Sequence, residues 1–177
     1  SLAEMLDGAD GAEEALAVYR SCYGSTGLFE AFVYDGAPEA LARLKESGAR
    51  LFLCTSKPAV YARRILDRFG LAGSFDGVYG AELDGRFEDK GDLIARILAA
   101  EGLDPGDCVM WGDRRHDVVG AGRHAIPTIG ALWGFGGAEE LGAAGAAVLC
   151  AAPAEVPAAF GRFRREAAPA GRPPHDR

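Results

Sequence analysis

No apolar run in this sequence approaches the length that crosses a bilayer, and no basic segment followed by an apolar one marks a secretory leader. The expected location is therefore the cytoplasm. Basic excess is missing too. There are 19 Lys and Arg against 26 Asp and Glu, a formal net charge of -7, so nothing supplies a phosphate-tracking face and nucleic acid is not an expected partner. The four cysteines, Cys22, Cys54, Cys108 and Cys150, show no metal-ligand spacing. Three of them sit inside apolar runs of strand length, where a thiol behaves as a small core residue. No internal repeat is visible. What remains is a globular chain of 177 residues, 49% hydrophobic and 25% charged, long enough for one domain with a real core or for one domain plus a small appendage.

Residues 1–34 are predicted to be helical and peripheral, with Ala15, Leu16, Tyr19 and Cys22 on one face. Pro38 suits the first turn of a second helix, Leu41 and Leu44 its buried stripe, and Gly48 its exit. From residue 50 onward strand and helix patterns alternate. Leu51 to Thr55 reads as a buried strand, and Ser56-Lys57-Pro58 as the start of a helix carrying Tyr61, Ile65 and Phe69 to Gly70. Gly77 to Ala81 is a weaker strand. Lys90 opens a helix whose Leu93, Ile94, Ile97 and Leu98 form a stripe ending at Gly102. A strand then stops at Gly112, a helix follows, and Thr128 to Trp133 reads as the next strand. The loop Gly134-Phe135-Gly136-Gly137, a short helix and a strand around Ala147 to Cys150 complete the pattern, and residues 165–177 read as a disordered tail. Such alternation predicts an α/β fold with a parallel sheet and crossover helices.

The chemistry gathers where strands end. Asp113 directly follows the run Cys108-Val109-Met110-Trp111-Gly112, and Asp117 stands four residues on, at the expected N-cap of the next helix. Two carboxylates at the carboxyl edge of a sheet form a hard-oxygen site suited to Mg²⁺. Thr55 ends a strand at an expected helix N-terminus, where its hydroxyl and that of Ser56 would meet an anion. Lys90 begins its helix, the unfavourable end for a cation, so it reads either as a solvated surface residue or as a phosphate clamp.

Three stretches, Leu51-Phe52-Leu53-Cys54-Thr55-Ser56-Lys57-Pro58, Asp89-Lys90-Gly91-Asp92 and Gly112-Asp113-Arg114-Arg115-His116-Asp117, resemble the haloacid-dehalogenase-like phosphatases, in particular their phosphoglycolate-phosphatase-like branch. The resemblance runs from about residue 10 to 163. It implies a Rossmann-like three-layer core with a mostly parallel sheet and a helical cap, and Mg²⁺-dependent hydrolysis of a phosphomonoester through an aspartyl-phosphate. By the same resemblance Thr55 binds the transferring phosphoryl group, Ser56 assists, and Lys90 steadies both that group and the nucleophile. Asp113 and Asp117 are the metal residues, Asp117 orienting Lys90 or the metal's waters. Residues 1–34 become a remnant of the cap, 35–164 the core, and Trp133-Gly134-Phe135-Gly136 a rim loop or simply a strand end.

One departure matters. The family's nucleophile lies in an Asp-x-Asp-Gly-Thr motif after the first strand, and no Asp-x-Asp occurs here. Tyr34-Asp35-Gly36 lacks the earlier acidic residue, and Glu82-Leu83-Asp84-Gly85 has Glu in the nucleophile's place and no Thr. Covalent phosphoryl transfer needs that carboxylate in line with phosphorus. The expectation is the C-terminal part of such a phosphatase, without its first strand and half its cap, inactive as it stands. Two alternatives stay open: a non-catalytic protein that keeps the phosphate and Mg²⁺ pocket, or one that docks on a partner supplying the missing strand. The expected ligand is a small phosphorylated metabolite, phosphoglycolate or a nucleoside monophosphate.

Overall fold

The structure, a computed structural model, describes residues 32–82 and 86–167. The helix expected within 1–34 falls almost wholly outside that range, and its last three residues, 32–34, carry no helix. The chain turns at Gly36 (φ 81°) into α1 (Ala37–Glu46), which buries Ala40, Leu41 and Leu44 and ends at Ser47, with Gly48 in the left-handed region at φ 83°. Such angles suit a residue without a Cβ.

β1 (Phe52–Pro58) follows, then α2 (Ala59–Arg68) and β2 (Gly77–Ala81), with β2 parallel to β1 from Phe52↔Gly77 to Thr55↔Gly80. Here the structure corrects the sequence reading. Ser56, Lys57 and Pro58 do not start a helix; they continue the strand past a bulge, Pro58 is extended (φ -53°, ψ 132°), and the helix begins at Ala59. The bulge closes tightly on Gly80, where a Cβ would lie 2.2 Å from the Lys57 carbonyl oxygen. Asp76 ties the entrance of the pair: its N–H donates to the Leu51 carbonyl and its carboxylate accepts the Leu51 N–H, both at 2.7 Å.

α3 (Lys90–Glu101) is capped at its start by the Asp89 carboxylate, which accepts the Asp92 N–H, and at its end by Gly102 at φ 61°. Then come β3 (Met110–Gly112), α4 (Arg115–Gly122), β4 (Thr128–Ala131), α5 (Ala138–Ala143), β5 (Val148–Cys150) and α6 (Val156–Ala167). β3, β4 and β5 form a second parallel sheet in that order. Helix α6 runs three residues into the segment expected to be a tail, because Arg165, Glu166 and Ala167 are good helix formers.

Helices cover both faces. Leu44 of α1 and Val156 and Ala159 of α6 pack with Ile129 and Cys150 on one side, where Trp111 and Trp133 join them. On the other, Ile94 of α3 and Ala121 of α4 pack with Ile126, Cys54, Cys108 and Met110. Trp111 and Met110 go to opposite clusters, as neighbours on a strand must. Among the described residues the sheet is in two pieces, since β1 and β3 are not hydrogen-bonded to each other. Both nonetheless rest on the same α3/α4 layer, β1 through Cys54 and β3 through Met110. β4, with a neighbour on each side, is buried throughout, whereas β1 and β3 are at most half-buried.

Candidate active site

The ends of β1 and β3 and the start of α3 bring Lys90, Asp117 and Asp113 together, with Ser56 on one cavity wall with Lys90, while no contact among the described residues joins Thr55 to them. Lys90 is not a surface lysine. Its side chain is 10% exposed, and its ammonium donates to the Cys54 carbonyl at 2.9 Å and lies 3.0 Å from Asp117 Oδ1. It gets there because α3 and α4 approach at glycine: a Cβ on Gly120 would lie 2.8 Å from Lys90 Cγ and 3.0 Å from the Gly91 nitrogen. Arg123 of the turn after α4 closes the same seam, donating to Asp89 at 2.6 Å and to Asp92 at 2.9 Å, while His124 Nε2 meets the Gly91 carbonyl at 2.8 Å.

Asp117 does not cap α4 as expected. Arg114 holds the N-cap position, and Asp117, in the first turn and buried, reaches back so that Oδ2 accepts the N–H groups of Asp113 and Arg114, both at 3.2 Å. With Oδ1 on Lys90, both its oxygens are engaged. Gly112 makes this possible, since a Cβ there would come within 2.4 Å of the Asp117 side chain. Asp113 is different. Its Oδ2 accepts the Phe135 N–H at 2.8 Å, and its other oxygen has no partner among the described residues. One free carboxylate oxygen, in a set where no three His, Cys, Asp or Glu cluster among the described residues, fits Mg²⁺, which takes one or two protein carboxylates and keeps water for the rest.

Thr55 is half-buried and Ser56 exposed. Thr55 Oγ1 accepts the Lys57 N–H at 3.2 Å, a local turn contact. Because the strand runs on to Pro58, Thr55 stands before a bulge and not at a helix N-terminus, so the helix dipole does not act on it directly. A cavity of about 430 Å³ opens beside Ser56 and Lys90, its wall carrying Arg115, His116 and Arg123 and also the carboxylates Glu88 and Asp89, while Thr55, Asp113 and Asp117 do not line it. Cys54 also adjoins Lys90, but burial pushes its thiol up to about 11, only partly offset by Lys90. A neutral thiol is a poor nucleophile.

The family resemblance also implied a rim loop at residues 133–136, with a simple strand end as the alternative. It did not reveal Glu140, whose Oε1 accepts the Arg115 N–H at 2.9 Å and Arg114 Nε at 3.1 Å. Those two contacts, the Arg115 N–H first, hold the Glu140 carboxyl below the usual range. A Glu on a short helix far along the chain carries no local signal for that role.

A family model described as haloacid dehalogenase-like hydrolase matches residues 3–124. The chain belongs to the haloacid dehalogenase-like hydrolases. The chain is 44% identical over 128 residues to a 5'-nucleotidase of Pseudomonas aeruginosa, covering 72% of this chain and 58% of that protein. It is 42% identical over 130 residues to the tyrosine-protein kinase PtkA of Mycobacterium tuberculosis (73% and 45%) and 36% identical over 111 residues to a phosphoglycolate phosphatase of Caulobacter vibrioides (63% and 46%). It thus spans about half the length of the curated relatives it matches. The crystal structure of a predicted phosphatase from Clostridium acetobutylicum superposes with a TM-score of 0.82 at 37% identity, over 86% of this chain and 71% of that one. The Rossmann-like α/β core and the kinship with phosphoglycolate-phosphatase-like haloacid dehalogenase-like hydrolases stand on these matches. Among the described residues no helix is long and apolar enough to cross a membrane.

Proposed function

We propose that this chain carries the phosphate-holding and Mg²⁺-holding part of a cytoplasmic phosphomonoester hydrolase, and that by itself it does not turn over. The observation that carries the reading is Lys90, a nearly buried ammonium held between the end of β1 and Asp117 beside a carboxylate with a free oxygen. Burying this ammonium costs desolvation, which Asp117 and the Cys54 carbonyl offset while leaving one N–H of Lys90 over. With its third N–H it is placed to hold a phosphoryl oxygen, Thr55 and Ser56 adding hydroxyl donors. Asp113 would be the metal's protein ligand, and Asp117 the residue that keeps Lys90 in position. Bound Mg²⁺ would neutralise phosphate charge. The cavity suits a small phosphorylated metabolite, and the resemblance to a 5'-nucleotidase and a phosphoglycolate phosphatase supports a nucleoside monophosphate or phosphoglycolate.

The missing turnover follows from the sequence, which contains no Asp-x-Asp, and from Cys54, which is no substitute nucleophile. Assays with p-nitrophenyl phosphate, phosphoglycolate and a nucleoside monophosphate in Mg²⁺ should stay at background. Metal-dependent turnover abolished by Thr55→Ala or Lys90→Ala would overturn the second half of the proposal. A second reading, docking on a partner that supplies an aspartate-bearing strand, draws support from the edges of β1 and β3, unpaired among the described residues, over one helix layer. In that case a peptide carrying Asp-x-Asp-Gly-Thr after an apolar strand would restore turnover.

A further inference from the structure

We infer that the loop after β4, Gly134-Phe135-Gly136, is a positioning device that fixes which oxygen of Asp113 faces a cation, with Glu140 as its outer brace. The inference rests on the proposed metal role of Asp113. Two contacts from the loop converge on this one residue. The Phe135 N–H takes Oδ2 at 2.8 Å, and the Gly136 N–H takes the Asp113 carbonyl at 2.9 Å, so side chain and main chain are held together. Glycine makes the approach possible. A Cβ on Gly134 would lie 2.3 Å from Asp113 Cβ and Oδ2, and one on Gly136 would lie 2.2 Å from the Asp113 carbonyl oxygen. Both distances are shorter than real Cβ contacts, so any side chain at either position displaces Asp113 or the loop.

The clasp acts on the loop and not on the sheet. Phe135 itself, 85% exposed, buries nothing, so the loop is not there to complete the core. Glu140, whose carboxyl carbon would lie 3.5 Å from a Cβ on Gly136, holds the next turn through the Arg115 N–H and Arg114 Nε, so the Asp113-Arg114-Arg115 stretch is held at both ends. Partners that orient a ligating carboxylate without touching the metal govern its affinity, and losing one weakens binding by about tenfold to a hundredfold.

Mn²⁺ serves as the probe, its free fraction read by electron paramagnetic resonance on the full chain, with thermal melting recorded for each variant. Gly136→Ala is expected to weaken Mn²⁺ binding by about tenfold or more, while Gly142→Ala, with nothing within 4 Å of its added methyl, leaves it unchanged. Should Gly136→Ala lose its cooperative melt, Glu140→Ala, which removes both hydrogen bonds of the brace, decides in its place and is expected to weaken binding in the same direction. Binding that Asp113→Asn does not affect, or no binding at all, would overturn the metal role of Asp113 and this inference with it. Binding weakened by Asp113→Asn but unchanged in the deciding loop variant would overturn the positioning role alone.

Discussion

Lys90 and Asp117 meet with side chains 10% and 12% exposed, so neither charge has much water to fall back on. Removing one member of a buried pair strands the other, at a cost of roughly 3–5 kcal/mol. Lys90→Met should therefore lower the urea-unfolding free energy by about that much. Adding Asp117→Asn should recover part of the loss, because the two changes share one interaction. Strictly additive effects in this double-mutant cycle would show that the pair is not coupled. Cys54 offers a test in pH. Its thiol, ordinarily near 9.0, is raised to about 11 by burial, so between those values the unfolded chain releases a proton that the folded chain keeps. Stability from this group is complete below 9.0 and is lost as pH rises toward 11. Urea midpoints from pH 8 to 11 should fall less steeply in Cys54→Ala; identical slopes would place the alkaline loss elsewhere. At this scale the sequence was legible in kind but not in contact. Asp113 after a strand and Lys90 at a helix start were readable as chemistry. That Asp117 reaches back from the first turn instead of capping, and that glycines 112 and 120 let it and Lys90 in, depends on three-dimensional approach that one-dimensional spacing does not encode.

Among the elements, the least protected backbone is expected in β1 and β3. Each pairs with a strand on one side only among the described residues, and unpaired N–H and C=O rows are templates for association. Amide exchange should be faster at 52–55 and 110–112 than at 128–131 in β4, which is bonded on both sides and buried throughout. Equal protection would mean that another segment covers the two edges. Most element types were readable because their periods are clear: the Leu93, Ile94 and Ile97 stripe of α3 ends at the expected glycine. The boundary at Ser56–Pro58 was not. Proline after a strand suits a helix's first turn and an extended bulge equally well, and the pairing of Pro58 with Ala81 decides for the latter.

For the molecule as a whole, alternation was enough to name an α/β fold with parallel pairing but not to say which strands are neighbours; the expectation of a missing first strand came from the family resemblance, and among the described residues β1 and β3 are not bonded to each other. The seam between α3 and α4, where Gly91 and Gly120 meet and Arg123 closes over Asp89 and Asp92, has a consequence in time. Each sheet joins strands linked by short crossovers, so each can assemble early from nearby chain. The seam can close only after both helices exist. Refolding should then show a fast step for the two sheets and a slower one for their docking. Gly120→Ala, which sets a methyl against Lys90 and the Gly91 backbone, should slow the second step and spare the first. On this view the residues that would grip a phosphate are assembled last, so a kinetic intermediate would carry nearly all of the secondary structure and no assembled phosphate site.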